Sequence, residues 1–221
     1  MNTTDWAMAV GSNNTAKHDS IIVGRNNSGN DSHIIVGANN TATTPRYRQA
    51  IGTGNFIVGV HNNVEGDGSI VIGRANTAIS ENPHQPNTII GNSSSAEGNG
   101  IVIGSSSIAT SGNVAIGNNV YAIGTPDAVD PNNEFKFLKS DAKRGATSLV
   151  SFGGRQLKTI APGAMTETST DAVNGAQLYS VAKEAMRHST VAAETYTSDI
   201  IVTEAKNPDG STKYKLKMAD N

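Results

Sequence analysis

The 221-residue chain has no cysteine. That excludes a disulfide framework, a thiolate zinc site and thiol catalysis. Aromatic residues are scarce, 5% of the total with one tryptophan, so no core built on large rings is expected. Neither charge dominates: 17 Lys and Arg against 19 Asp and Glu leave a net charge of −2, and no global field points to nucleic acid or an anionic membrane. No apolar run approaches the ~20 residues of a membrane-crossing helix. Met1-Asn2-Thr3 does not open a charged region followed by an apolar one, so no signal peptide is expected there. Phosphate-loop, nucleophile-elbow and paired-carboxylate signatures are missing, and Gly66-Asp67-Gly68 alone does not make a calcium-binding nonapeptide. The five histidines, at 18, 33, 61, 84 and 188, show no metal-ligand spacing. His18 and His33, each ahead of an apolar run, mark the one place where a metal would be sought; no metal and no cofactor is expected.

What is abundant is glycine, 23 residues against a usual share of ~7%, and many of these close a short apolar run. The endings are Ala9-Val10-Gly11, Ile22-Val23-Gly24, Ile35-Val36-Gly37, Ile57-Val58-Gly59, Val71-Ile72-Gly73, Ile89-Ile90-Gly91, Val102-Ile103-Gly104 and Ala115-Ile116-Gly117. Most are 13 or 14 residues apart. Thirteen residues hold two short strands and two turns, one coil of a β-solenoid. The apolar run is one strand. The Asn-rich stretches after each glycine suit tight corners, since Asn and Gly tolerate positive φ. A second strand, such as Asn76-Thr77-Ala78-Ile79, alternates polar and small apolar residues and reads as having one wet face.

The first strand is apolar at consecutive positions, as in Ile21-Ile22-Val23 and Ile101-Val102-Ile103. Successive side chains of a strand point to opposite faces, so both faces of this sheet must be dry. One face fills the coil. The chain has no long amphipathic helix to cover the other, so another copy is the expected cover and the protein an obligate homo-oligomer. The residues chosen for the core strands and subunit interface are Ile22, Ile35, Ile57, Val71, Ile89, Val102 and Ile116, with Leu178 and Val181 on a later helix.

Residues 1–124 are the expected solenoid, with Trp6 capping its first coil. Two insertions break the period. Residues 43–49 contain Arg46, Tyr47 and Arg48; residues 81–86 contain His84 and Gln85. Insertions in solenoids map to exposed loops, often on the binding face, which makes these five the candidate ligand-binding residues, although inert loops are the simpler reading. Residues 125–154 read as an insert with short strands at Glu134-Phe135-Lys136-Phe137-Leu138 and Ser148-Leu149-Val150-Ser151-Phe152. Residues 155–187 follow, with Ser169, Thr170 or Asp171 as helix N-cap and Leu178, Val181 and Ala185 as a coiled-coil seam reaching about Arg187. Residues 188–221 carry two strands flanking Asn207-Pro208-Asp209-Gly210, a hairpin turn.

Arg155-Gln156-Leu157-Lys158-Thr159-Ile160-Ala161-Pro162-Gly163, then Asp171-Ala172-Val173-Asn174 and Gln177-Leu178, resemble the neck module of trimeric autotransporter adhesins, with Met165-Thr166-Glu167-Thr168 lengthening the link. Arg155, Gly163, Asp171, Asn174 and Gln177 match the neck motif. The repeats upstream resemble the head of the same family. The resemblance implies a mainly β, left-handed parallel β-roll head in a parallel homotrimer, then a neck, a short coiled-coil helix and a C-terminal β-hairpin beginning a small stalk domain. It implies adhesion at a Gram-negative cell surface to host matrix proteins (collagen, fibronectin or laminin) or host cells, with an outer-membrane anchor outside this stretch. A ligand-free structural spacer is one alternative. Trimeric left-handed β-helix acyltransferases are another, but their six-residue period and catalytic histidine do not match the 13–14 period or the neck; no enzyme is expected.

Overall fold

In the computed structural model, residues 2–4, 6–44, 54–80, 85–126, 147–185, 200–207 and 212–218 are described. They are mainly β, with one short helix, in two compact units, Met1–Leu157 and Lys158–Asn221.

The first unit is a two-sheet parallel coil. Long strands Met8–Ser12, Ile21–Arg25, Ile34–Ala38, Phe56–Val60, Ile70–Arg74, Thr88–Asn92, Ile101–Ser105 and Val114–Ile116 stack in chain order, each pairing in parallel with the next, and Val150–Ser151 adds a ninth. Short strands Asn2–Thr4, Thr15–Lys17, Ser28–Gly29, Thr41–Thr43, Asn63–Glu65, Thr77–Ile79, Ser95–Glu97, Ile108–Thr110 and Tyr121–Ala122 form the second sheet in the same way. Because the period is one coil, equivalent residues fall in register: Ile22 lies beside Ile35, Ile35 beside Ile57, and Gly24 beside Gly37.

The second residue of each long strand points inward. Ile22, Ile35, Ile57, Val71, Ile89 and Val102 have no exposed surface and pack with the inward residues of the short strands, mostly alanines such as Ala16, Ala78 and Ala109. Large faces small across an interior one side chain deep, which is how a coil this thin reaches close packing.

The glycine closing each run has a steric reason. A Cβ on Gly24 would sit 1.8 Å from the Gly37 carbonyl oxygen, and one on Gly59 1.7 Å from that of Gly73. Two residues later the corner needs positive φ in every coil, at Asn13, Asn26, Asn39, His61, Ala75, Ser93, Ser106 and Asn119. The next residue turns inward and builds a buried polar ladder. Asn27 Nδ2 donates to the Gly37 carbonyl (2.8 Å), while its Oδ1 accepts the Asn40 backbone N–H (3.0 Å) and Nδ2–H (2.9 Å). Asn14, Asn40, Asn62 and Asn76 do the same; Ser94 and Ser107 continue the ladder with hydroxyls donating to Gly104 and Gly117. The corner amides are thus satisfied without water.

At the far end Arg155 takes the place of a further coil. Its guanidinium donates to the carbonyls of Asn118 (3.0 Å) and Phe152 (2.7 Å), against Gly117. Arg155 and the strand at 150–151 therefore belong with the coil, whereas the sequence grouped them with the neck and a separate insert. Trp6 does not cap the first coil: it is 96% exposed. It occupies the positive-φ corner shared by Asp19, Ser32 and Asn99, which carries a side chain outward. The expected strand at 134–138 lies outside the described residues.

In the second unit the helix spans Gly175–Ala185, beginning later than expected. Strands Ile200–Lys206 and Thr212–Met218 pair antiparallel as a hairpin, with Val202 opposite Leu216; residues 208–211 of its turn lie outside the described set.

Candidate interaction surfaces

The first and third residues of each long strand face outward and make two columns, beside a mostly polar row at the strand ends that includes Ser12, Arg25, Arg74 and Asn92. The first runs Met8, Ile21, Ile34, Phe56, Ile70, Thr88, Ile101, Val114, and the second Val10, Val23, Val36, Val58, Ile72, Ile90, Ile103, Ile116. Thr88 is their single polar residue. Ile21 and Ile34 are about two-fifths exposed (40% and 41%), as are Ile90 and Ile103 at 44%. Eight strands at ~4.8 Å make a rigid apolar strip roughly 34 Å long, and nothing among the described residues covers it. The outward side of the short-strand sheet carries Thr15, Ser28, Thr41, Asn63, Thr77 and Ser95, the wet face expected of it, and then turns apolar at Ile108 and Tyr121.

Of the residues chosen from sequence, Ile22, Ile35, Ile57, Val71, Ile89 and Val102 fill the chain's own coil and reach no other surface. Ile116 alone stands on the outward face, because the inward position of its strand is Ala115. The missed surface residues flank the chosen ones. Their signal was available: the inward residue lies two before the glycine, so its neighbours face out.

The motif residues at 163–177 form a local knot. Asn174 caps the helix, its Oδ1 accepting from the Gln177 backbone N–H (3.1 Å) while Gln177 Oε1 accepts from the Asn174 N–H (3.2 Å). This is the reciprocal capping box of a helix start. Gln177 also pairs in both directions with Gly163, Nε2 donating to its carbonyl (2.8 Å) and Oε1 accepting its N–H (2.9 Å). Asn174 Nδ2 reaches the Ile160 carbonyl (3.1 Å), and Asp171 Oδ2 accepts from the Ala164 N–H (2.9 Å). Asp171 therefore braces the loop rather than capping the helix. A Cβ on Gly163 would lie 2.6 Å from the Ala172 carbonyl oxygen. The knot orders the backbone but buries no apolar group: Leu178, Val181 and Val173 are all more than half exposed, and no helix side chain is buried.

Arg46, Tyr47, Arg48 and His84 lie outside the described residues. Gln85 lines a polar depression on the corner of the coil with Glu97, Asn99, Thr110 and Ser111. His33 and His18 differ in burial: His33 is enclosed in the coil, where burial lowers its pKa to about 4, while His18 is exposed at a corner. Among the described residues no group of three or more His, Asp or Glu is placed to hold a metal, and no helix is long and apolar enough to cross a membrane. Compared with protein-family models and with curated proteins, the chain has no match.

Proposed function

We propose that this chain is the head and neck of a homotrimeric adhesin displayed on a bacterial cell surface, its head a left-handed β-roll and its role binding rather than catalysis. The observation that carries this reading is the outward apolar strip, sixteen positions with one polar residue. A strip of this size on a lone soluble particle would be an association hazard. Three copies apposing these faces would bury it. Further support comes from the helix: eleven residues with no buried side chain are too few to persist alone in water, and Leu178 and Val181 lie one turn apart, as a three-helix seam needs. The knot at 163–177 would set the entry of the chain into that seam.

The polar sheet and corners then face outward three times over. Adhesion would rest on many weak contacts multiplied by three chains. Collagen, fibronectin, laminin or a host cell surface is the proposed partner class. Solid-phase binding of the purified chain to each of the three matrix proteins tests the adhesive half of the reading. Saturable, salt-tolerant binding to at least one supports it; no binding to any of them or to host cells reduces the chain to a spacer.

A further inference from the structure

His33 sits where the corner of each coil turns inward, in a column that includes Ser20, Asn55, Ser69 and Asn87. Each of these passes a hydrogen bond to the next coil: Ser20 Oγ accepts from the His33 N–H (3.2 Å), Asn55 Oδ1 from Ser69 (2.8 Å) and Ser69 Oγ from Asn87 (3.0 Å). His33 passes its own through a ring nitrogen, Nδ1 accepting from the Asn55 N–H at 3.1 Å. It is the one rung of this column whose acceptor atom is a titratable base. Because Nδ1 accepts, the ring is neutral with its proton on Nε2, and Nε2 is buried with no hydrogen-bond partner. The ring fits because the short strand carries Gly29 where other coils carry Ala or Val; a Cβ there would press His33 Cδ2 (3.3 Å) and Ile35 Cδ1 (3.1 Å).

We propose that His33, housed by Gly29, makes the junction between the coils of Ile34–Ala38 and Phe56–Val60 an acid-sensitive seam, whose rung to Asn55 is lost when the imidazole takes up a proton. Protonation puts a hydrogen on Nδ1, which then faces the Asn55 N–H donor to donor. It also encloses a cation in a site with no partner for Nε2. A buried charge without a partner is among the costliest groups a fold can hold. The junction is the one at which the chain leaves the coil for the insertion at 45–53.

The ionisable groups on the adjoining corners are His18 and Asp19, which are exposed, Asp31, which is half-buried, and Asp67, which is buried and accepts from Thr44 Oγ1 (3.0 Å). None hydrogen-bonds the ring. Arg25 ends a neighbouring long strand and is exposed. The carboxylates would favour the cation; burial opposes it and holds the ring pKa at about 4, below the ordinary 6.5. The unfolded chain therefore binds the proton first. The contribution of this group is fully present above pH 6.5 and is lost as pH falls from there towards 4.

The test uses the whole chain. Nitrogen-15 imidazole shifts should report an Nε2–H ring at pH 7 that titrates at least one unit below 6.5. Hydrogen exchange, normalised for intrinsic chemistry, should show the amides of Asn55 and Phe56–Val60 losing at least tenfold more protection between pH 7 and 4.5 than those of Ile101–Ser105. The double substitution Gly29→Ala with His33→Asn restores the ordinary column and should flatten the fall of Tm over the same range. An imidazole titrating near 6.5, or protection lost equally at both strands, overturns the proposal. So does a double variant whose Tm falls as steeply as the parent's. If that variant does not fold, the imidazole shifts and the exchange comparison decide alone.

Discussion

Asn40 donates from Nδ2 to the carbonyl of Gly59 at 2.7 Å, across 19 residues of chain, in the same rung that Asn27 makes to Gly37 across 10 at 2.8 Å. The extra residues between the two coils leave the rung unchanged. Gly54 shows why: a Cβ on it would meet the carbonyl of Ser32 at 1.7 Å, so Gly54 stacks on the corner residue of the preceding coil.

Deleting residues 45–53 brings the spacing from Gly37 to Gly59 to 13, one ordinary coil. The deletion should leave Tm within roughly 5 °C of the parent, since loop length alone costs little. A collapse of the fold would show that the insertion supports the coil. The same deletion removes Arg46, Tyr47 and Arg48, so unchanged binding to matrix proteins would clear those three of a role.

The rung itself should be costly to lose. Asn40→Ala removes the side-chain donor to the Gly59 carbonyl, the acceptor of the buried Asn62 backbone N–H and one of the two acceptors of Asn62 Nδ2, which keeps only Gly73. Each buried group left without a partner costs ~1–3 kcal/mol, so the variant should lose roughly 3 kcal/mol or more. Asn40→Ser should lose less, because Ser94 and Ser107 make the equivalent bond in later coils. Thermal melts at one fixed protein concentration compare the three; an alanine variant as stable as the serine variant would contradict the ladder's role.

Glycines here fall into two kinds. Gly59→Ala forces a methyl to 1.7 Å from a backbone oxygen with φ at +139°, and should prevent the coil from closing. Gly112 has φ of +77° but open space around its Cβ position, so Gly112→Ala should cost only the ~1–2 kcal/mol of a left-handed alanine. Circular dichroism and melting of both variants check this. Equal tolerance of both would mean that the stacking at Gly59 is looser than described.

The repeat was legible because one coil is one period, so the period located the strands of the coil. Other features were hidden by what sequence alone leaves degenerate. In Asn13-Asn14 and Asn26-Asn27 the first asparagine is there for its positive φ and the second for its buried amide; composition cannot separate the two roles. At the helix start four polar residues compete, and Asn174 wins because Gln177 stands three residues on to complete the reciprocal pair. Trp6 was misplaced because nearness to a chain end was weighed above its corner position.

Central to the account is the pair of outward apolar columns, which the described residues leave open. Light scattering on a dilution series of the purified chain measures their consequence directly. The account predicts a particle of three times 22.9 kDa that loses its folded signal when it dissociates. A folded particle of 22.9 kDa, persisting through every dilution with its β signal intact, would contradict it.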